Sequence, residues 1–262
     1  MTNETQTPDI KALEKRFITV ASGKGGVGKT WLSVTLAHAL SHLNKKVALF
    51  DGDLGLANVD IQLGIVPEMD LGHVISGQSN FAGIAQPYRD KDGSSFDVLP
   101  GKSGSGSLGS LSQQALTNIR MGLTKLTVNY DHILLDLAAG IDPSVTTLSN
   151  HAGKIIVVMT ADPTSLTDAY AFIKVTAMRN PKADIAVVVN NVGSKKEGER
   201  AFGAIKKACE GFLKISPPLI GIIRKDDKVV DAIRSQVPIL VRHPQSDAAS
   251  DVKALAVALT RG

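Results

Sequence analysis

Short, almost uninterrupted apolar segments alternate along the chain with longer segments in which apolar residues recur every three or four positions. The short segments have the length of buried strands, and the longer ones have the period of helices that cover a sheet with one apolar face. Predicted strands occupy residues 17–22, 46–50, 96–101 (a short strand and turn), 131–136, 154–160, 183–191 and 218–223. Predicted helices occupy residues 29–43, 112–128, 163–179, 195–213, 224–235 and 246–259. Strands separated by helices favour an α/β fold with a mostly parallel, doubly wound sheet flanked by helices.

The predicted elements form a single domain, residues 17–262, preceded by a polar tail and a short helix in residues 1–16. A length of 262 residues and a hydrophobic fraction of 43% suit one large domain with a substantial core. Segment 102–107 has the composition of a flexible linker, but we place no domain boundary there. No apolar stretch approaches the roughly 20 residues of a membrane span and no signal peptide opens the chain, so we expect a soluble, cytoplasmic protein.

Cysteine and histidine usage argues against a disulfide framework or a CxxC metal site, because Cys209 is the single cysteine. Cys209 shares a predicted apolar helix face with Ile205 and Phe212, so we expect a buried structural thiol. His73 is expected to be a helix-surface or packing residue, since no second histidine stands beside it at metal-ligand spacing.

Residues 23–30, with the sequence Gly-Lys-Gly-Gly-Val-Gly-Lys-Thr, follow the first predicted strand and open the first long helix. This order of strand, glycine loop and helix is that of a phosphate-binding P-loop. Glycines at 25, 26 and 28 allow positive φ and turn successive N–H groups toward an anion at the helix N-terminus. Lys29 is expected to reach the β- and γ-phosphates of a nucleoside triphosphate, and the Thr30 hydroxyl to bind Mg²⁺. The alternative, a glycine-rich turn with two solvated lysines, is disfavoured by the flanking strand and helix.

Three aspartates follow predicted strands at the ends where ligands bind in open α/β sheets. Asp51 and Asp53 come after the second strand, and Asp136 ends the strand at 131–136. We expect Asp51 and Asp136 to hold the Mg²⁺ shell and Asp53 to orient the attacking water. The alternative is an acidic turn that caps the next helix, which explains Asp60 better than the Asp51 and Asp53 pair.

The strand at 183–191 ends in Asn190 and Asn191. An amide at this position can read the edge of adenine, whereas an asparagine that only forms a turn is the alternative. The doublet leaves open which of the two asparagines contacts the base.

With Lys24 and Lys29 both present, residues 23–30 resemble the deviant Walker A motif of the MinD/ParA (SIMIBI) class of P-loop ATPases, and the likeness extends over residues 17–260. The resemblance implies an ATP-dependent homodimer in which Lys24 contacts the nucleotide held by the other subunit. It further implies that Asp53 is needed for hydrolysis and that the N–H of Gly140 senses the γ-phosphate. The ATP contacts that it implies are Gly25, Gly26, Val27, Gly28, Lys29, Thr30, Trp31, Asn58, Gly140, Asn190 and Asn191.

Residues 53–60, with the sequence Asp-Leu-Gly-Leu-Ala-Asn-Val-Asp, and residues 163–170 resemble the FlhG branch of this class, also called FleN or YlxH. Members of that branch regulate flagellar number and placement. The resemblance implies partners such as the GTPase FlhF and the switch proteins of the flagellar basal body. It also implies peripheral contact with the inner face of the cell membrane.

Three departures from the class are visible, and one of them is the lack of the glutamine-bearing amino-terminal activator motif that some FlhG proteins use. Trp31 stands where a serine, threonine or asparagine is usual, and an indole cannot bind an α-phosphate as a hydroxyl does. The last helix, with Leu255, Val257 and Leu259, is expected to dock on the core rather than to target a membrane.

Two other functions stay open. A net charge of +4, with lysines clustered in residues 195–228, is compatible with a ParA-like ATPase that partitions DNA or cargo and touches DNA phosphates. A metabolic ATP-dependent enzyme on the same scaffold is the second alternative, and Lys24 would be superfluous in it.

Overall fold

The structure, a computed structural model, describes residues 9–91, 93–101 and 111–261. The predicted linker at 102–107 lies outside these residues. In the described part of the chain, the sheet has eight strands in the order β3-β4-β2-β5-β1-β6-β7-β8. The strands are β1 Phe17–Ser22, β2 Val47–Gly52, β3 Gln86–Arg89, β4 Ser95–Leu99, β5 His132–Ala139, β6 Lys154–Met159, β7 Asp184–Val192 and β8 Leu219–Arg224. All neighbouring strands are parallel except β3 and β4, so the predicted mostly parallel sheet is confirmed.

Helices cover both faces of the sheet. They are α1 Ile10–Glu14, α2 Lys29–His42, α3 Val59–Leu63, α4 Leu71–Ile75, α5 Gln113–Leu126, α6 Pro143–Leu148, α7 Pro163–Arg179, α8 Lys195–Ala208, α9 Asp227–Arg234, α10 Ile239–Arg242 and α11 Asp247–Thr260. One core packs α4 to α8 on the sheet, and the other packs α2, α3 and α9 to α11 on the opposite face. Successive residues of β1 alternate between them: Phe17 and Ala21 face the first core, and Ile18 and Val20 face the second. This is the doubly wound arrangement.

The structure departs from the predicted elements at an edge strand and at the end of one helix. The strand β3 was not predicted, and it adds an antiparallel edge to the sheet. The helix predicted to reach residue 213 ends at Ala208 and continues as a π-helical turn, Cys209–Leu213. That turn keeps Cys209 buried as predicted, but it leaves Phe212 80% exposed rather than on the apolar face.

The last helix docks on the core as predicted, with Leu255 buried against α2 and β8. None of the helices in the described ranges is long and apolar enough to cross a bilayer.

Candidate nucleotide-binding site

The loop between β1 and α2 has the geometry of a P-loop. Gly26 and Gly28 have φ of +77° and +89°, the left-handed backbone that glycine adopts without a steric cost. Gly28 is the N-cap of α2 and no side chain caps this helix, so its first N–H groups are left for a ligand. A Cβ at Gly25 or Gly26 would meet nothing within 4 Å, so the loop opens to solvent. The loop therefore presents an accessible row of donors that fits a chain of phosphates.

Contacts with α7 and β7 hold this loop in place. A Cβ on Gly23 would lie 2.0 Å from the carbonyl oxygen of Asp168 in α7, so only glycine allows this close approach. On the other side, Asn190 Nδ2 donates to the Val27 carbonyl oxygen at 2.8 Å. The phosphate-binding backbone is thus fixed before a ligand arrives, which lowers the cost of binding.

Lys29 and Thr30, the first residues of α2, lie beside Asp136 in β5. Burial lowers the pKa of the Lys29 ammonium, and the charges of Asp136 and Asp53 oppose that shift. The Thr30 hydroxyl hydrogen-bonds to Asp136, and Ser33 Oγ donates to Asp136 Oδ1 at 2.9 Å. The structure therefore joins the predicted P-loop and the predicted strand-end aspartate in one site.

Asp51 and Asp136 are register partners on β2 and β5, and each is 1% exposed. Burial raises the pKa of Asp51 to about 8, with a further upward contribution from the charge of Asp136. Burial also raises the pKa of Asp136 to about 6, against hydrogen bonds from Thr30 and Ser33 and the charge of Lys29. Two buried carboxylates repel when both are ionised, and a divalent cation beside them relieves the repulsion. Carboxylate and hydroxyl oxygens are the ligands that Mg²⁺ prefers, so these residues fit that ion.

Asp51 also holds the segment that follows it. Its Oδ2 accepts hydrogen bonds from the N–H groups of Asn58 at 2.8 Å and Val59 at 2.9 Å. Asn58 is the N-cap residue of α3 but makes no capping bond with its own side chain, so Asp51 takes over the cap from seven residues away. The sequence analysis took helix capping to be a poor explanation of Asp51, but Asp51 does cap α3. The carboxylate serves the fold whether or not it also holds a metal shell.

Asp53, which is expected to orient the attacking water, hydrogen-bonds to the loop that follows β2. Its Oδ1 accepts from the N–H groups of Gly55 at 3.3 Å and Leu56 at 3.0 Å. Among the described residues no group hydrogen-bonds to Oδ2, so this oxygen can accept from a water. Within the described residues, Asn58 Oδ1 is buried without a hydrogen-bond partner.

Gly140 has a φ of +101° and follows directly on β5. Its N–H donates to the Ser22 carbonyl oxygen at 2.8 Å. This hydrogen bond has to open before the amide can reach a γ-phosphate, so the expected contact requires a movement of this segment.

A pocket beside the P-loop suits a nucleobase. Besides residues 26–28 of the P-loop and the charged residues 224–227, it is lined by Trp31, Asn190, Asn191 and an apolar wall made of Ile223, Val229, Val230 and Ile233. Asn190 is buried and its Nδ2 is engaged by Val27, so its Oδ1 is the atom left for a base, whereas Asn191 is exposed with a φ of +58°. The Trp31 indole is buried, and its Nε1 finds no partner among the described residues. An apolar wall with a few fixed polar atoms is the usual composition of such a pocket.

Lys24, the other lysine of the P-loop, contacts α7. Its Nζ donates to Thr164 Oγ1 in α7 of the same chain at 2.6 Å. The structure describes one chain, and the reach of Lys24 toward a second subunit stays a prediction.

Three parts of the site were missed from the sequence. Ser33 stands one helical turn after Thr30, and this spacing could have indicated that it shares the face of α2 that meets Asp136. Thr164 and the apolar wall carried no local signal, because the fold alone brings them to the P-loop.

Comparisons with known proteins agree with this geometry. Residues 18–239 match the family described as the CobQ/CobB/MinD/ParA nucleotide binding domain. The chain is 35% identical over 241 residues to the antiactivator FleN of Pseudomonas aeruginosa, which covers 92% of this chain and 85% of FleN. It is 30% identical over 195 residues to the flagellum site-determining protein YlxH of Helicobacter pylori, which covers 74% of this chain and 64% of YlxH.

Solved structures of MinD proteins share the fold. A chain of the MinC:MinD cell division protein complex of Aquifex aeolicus superposes with a TM-score of 0.77 at 28% identity, covering 94% of this chain and 96% of that one. The Mg-ADP complex of MinD from Pyrococcus horikoshii superposes with a TM-score of 0.77 at 24% identity, covering 93% and 95%. The resemblance seen in residues 23–30 and 53–60 is thereby confirmed, and the chain belongs to the CobQ/CobB/MinD/ParA family of nucleotide-binding proteins, together with FleN and MinD.

Proposed function

We propose that this chain is an ATP-dependent dimerisation switch that hydrolyses ATP slowly with Mg²⁺ and regulates flagellar number or placement. The observation that carries the proposal is that the two P-loop lysines have different surroundings. Lys29 lies against Asp136 inside the site, whereas Lys24 extends to Thr164 on α7. In this proposal Lys24 exchanges its solvent-exposed hydrogen bond to Thr164 for a contact with the nucleotide of another subunit.

The residues have separable roles in this proposal. The N–H groups of residues 25–30 bind the phosphates, and Lys29 pairs with the β- and γ-phosphates. Mg²⁺, held through the Thr30 hydroxyl with Asp51 and Asp136 in its shell, would neutralise phosphate charge. Asp53 uses the carboxylate oxygen that its loop leaves open to orient the attacking water. Hydrolysis then removes the γ-phosphate and returns the protein to the monomer.

A flagellar role rests on the relatives. FleN is named an antiactivator and YlxH a flagellum site-determining protein, and both match over most of this chain. The dimer would be read by a flagellar assembly factor such as the GTPase FlhF or by basal-body switch proteins, at the inner face of the cell membrane. Deleting the gene should change the number or placement of flagella, and normal flagellation would count against this role.

The DNA-partitioning alternative is not favoured by the charges. Arg224, in the basic stretch, pairs with Asp247 at 2.7 Å and with Asp251 at 2.9 Å, and Lys195 lies 3.7 Å from Asp251. Part of the positive charge is therefore neutralised within the chain. A steep loss of ATP-dependent DNA binding with rising salt would revive this alternative.

Mass measurement by light scattering tests the switch directly. We would compare ATP, ADP and no nucleotide on Asp53→Ala, in which turnover is blocked, and on Asp53→Ala/Lys24→Ala. The mass should double with ATP alone and only where Lys24 is present. Asp53→Ala/Lys174→Ala is the matched control, because Lys174 is an exposed lysine on α7, the helix that contacts Lys24.

Trp31 fluorescence reports nucleotide binding in the same samples, because Trp31 is the single tryptophan and lines the base pocket. Nucleotide binding without any change in mass would overturn the switch and favour a metabolic enzyme. Doubling that persists without Lys24 would overturn the role of that lysine.

A further inference from the structure

A second cluster of ligand-type side chains lies at the far end of α2. His38 and His42 stand one turn apart on this helix, and Asp90 follows β3 in the hairpin that leads to β4. His38 Nε2 lies 2.7 Å from Asp90 Oδ2, His42 Nε2 lies 3.1 Å from the same oxygen, and the two nitrogens are 3.1 Å apart. We propose that these three residues form a binding site for a divalent first-row transition metal, with Zn²⁺ as the expected ion.

The donor set and its spacing fit zinc. Two imidazoles separated by four residues on one helix face, with a carboxylate from elsewhere, are a common zinc ligand set. A tetrahedral site with bonds of about 2.0–2.1 Å separates its donors by roughly 3.3 Å. The three separations of 2.7, 3.1 and 3.1 Å lie close to that value, so small side-chain movements suffice to admit an ion.

Hydrogen bonds among these three atoms account poorly for their mutual separations. If both rings direct an N–H at Asp90 Oδ2, two N–H groups converge with their nitrogens only 3.1 Å apart. If one ring presents a lone pair instead, its nitrogen faces the carboxylate oxygen without a proton between them. A cation at the centre of the triangle satisfies all three lone pairs at once.

Burial, a hydrogen bond to Asp90 and ring packing on His38 hold the three side chains in position. The side chains of His38 and Asp90 are 0% and 1% exposed, whereas His42 is 31% exposed and borders solvent. Asp90 Oδ1 accepts a hydrogen bond from the N–H of Ser94 at 3.0 Å, which orients Oδ2 toward the histidines. The Phe96 ring packs 6.0 Å from the ring of His38 and walls off one side. The solvent-facing side leaves the fourth position to a water.

This site is separate from the nucleotide site. His38 and His42 follow Thr30 by eight and twelve residues on α2, which places them about 12 and 18 Å along the helix. The bound metal would tie the end of the P-loop helix to the edge hairpin of the sheet. The inference does not depend on the proposed function, because it concerns other residues and another ion.

Co²⁺ and Zn²⁺ titrations of the untagged full chain, stripped with EDTA and free of nucleotide, test the site. Millimolar Mg²⁺ is kept in the buffer to occupy oxygen-only sites. We expect one Co²⁺ per chain with visible d–d absorption that Zn²⁺ abolishes, and a higher unfolding temperature with Zn²⁺. His42→Gln should weaken Zn²⁺ binding at least about tenfold and abolish the rise. His73→Gln, which removes a histidine that faces Asp70 at 3.1 Å, is the matched control and should bind as the wild type does.

Equal Zn²⁺ affinity in wild type and His42→Gln, or the absence of stoichiometric binding in the wild type, would overturn the site. X-ray absorption of the Zn²⁺-loaded wild type tests the ligands directly and does not depend on whether His42→Gln folds. Scattering from two imidazoles supports the proposal, and its absence refutes it.

Discussion

Acidification should destabilise this protein through one buried histidine, His151. The side chain is 3% exposed and packs against Phe17 at a ring distance of 5.1 Å. Its Nδ1 accepts a hydrogen bond from the N–H of Gly153 at 3.0 Å, so the ring proton is on Nε2, which donates to Thr19 Oγ1 at 2.6 Å. A second proton on Nδ1 would face the N–H of Gly153. The neutral ring is therefore fully satisfied and the charged ring is not.

The size of the effect follows from the pKa. Burial, with a smaller contribution from the charge of Arg120, lowers the pKa of His151 to about 3, against about 6.5 in an unfolded chain. Unfolding therefore takes up a proton below pH 6.5, and the stabilisation that is present above that pH is lost as the pH falls toward 3. Linkage gives a loss of about 2 kcal/mol in the free energy of unfolding between pH 7.5 and pH 5.0 from this residue alone.

Urea unfolding at pH 7.5 and 5.0 measures the effect. Other groups also titrate over this range, so the loss is compared between the wild type and His151→Gln, which lacks the titrating ring. The wild type should lose about 2 kcal/mol more than the variant. Ring ¹⁵N shifts should show the neutral Nε2–H tautomer still present at pH 5.0. Equal losses in the two proteins, or a protonated ring at pH 5.0 in the folded wild type, would refute the reasoning.

Two further predictions compare matched substitutions by chemical unfolding. Gly28→Ala should lower the free energy of unfolding by at least about 1–2 kcal/mol, because φ is +89° and the new Cβ would lie 2.5 Å from Asn190 Nδ2. The control is Gly203→Ala on α8, which should be neutral or stabilising because a Cβ there meets nothing within 4 Å. Equal effects of the two substitutions would contradict this expectation. Phe172→Ala should lower the free energy of unfolding by about 3–5 kcal/mol because the ring is fully buried. Phe212→Ala should change the free energy of unfolding by no more than about 0.5 kcal/mol. A loss at Phe212 comparable to that at Phe172 would show that the π-helical turn does not hold this ring in solvent.

The sheet and the P-loop could be predicted because their signals are local. Short, β-branched apolar runs such as residues 155–159 are typical of strands inside a covered sheet, and residues 23–30 carry their phosphate-binding geometry in their own glycines. Asp136 was also within reach, because parallel strands bring their carboxyl ends together, although β5 continues past the predicted end to Ala139.

Features that depend on the path of the chain could not be predicted. Asp51 caps α3 only because the loop between them returns to β2, and no spacing rule places a carboxylate seven residues before the amide it accepts from. His38 and His42 have a visible helical spacing, but their carboxylate partner is Asp90, which the unpredicted hairpin delivers. Phe212 turned outward because a π-helical turn replaced the regular helix on which its predicted face depended.

The edge strand β3 is poorly suited to pair with a strand of another chain. It has four residues, and Pro87 lacks the N–H that an incoming strand would need. A short edge strand interrupted by proline is a poor template for joining two sheets into one continuous ladder, which is a common route to aggregation. Crowded copies are thereby discouraged from adding strands at this border. In the proposed switch, contact between two copies would then rest on the surface around the nucleotide site, and copies without ATP would stay monomeric.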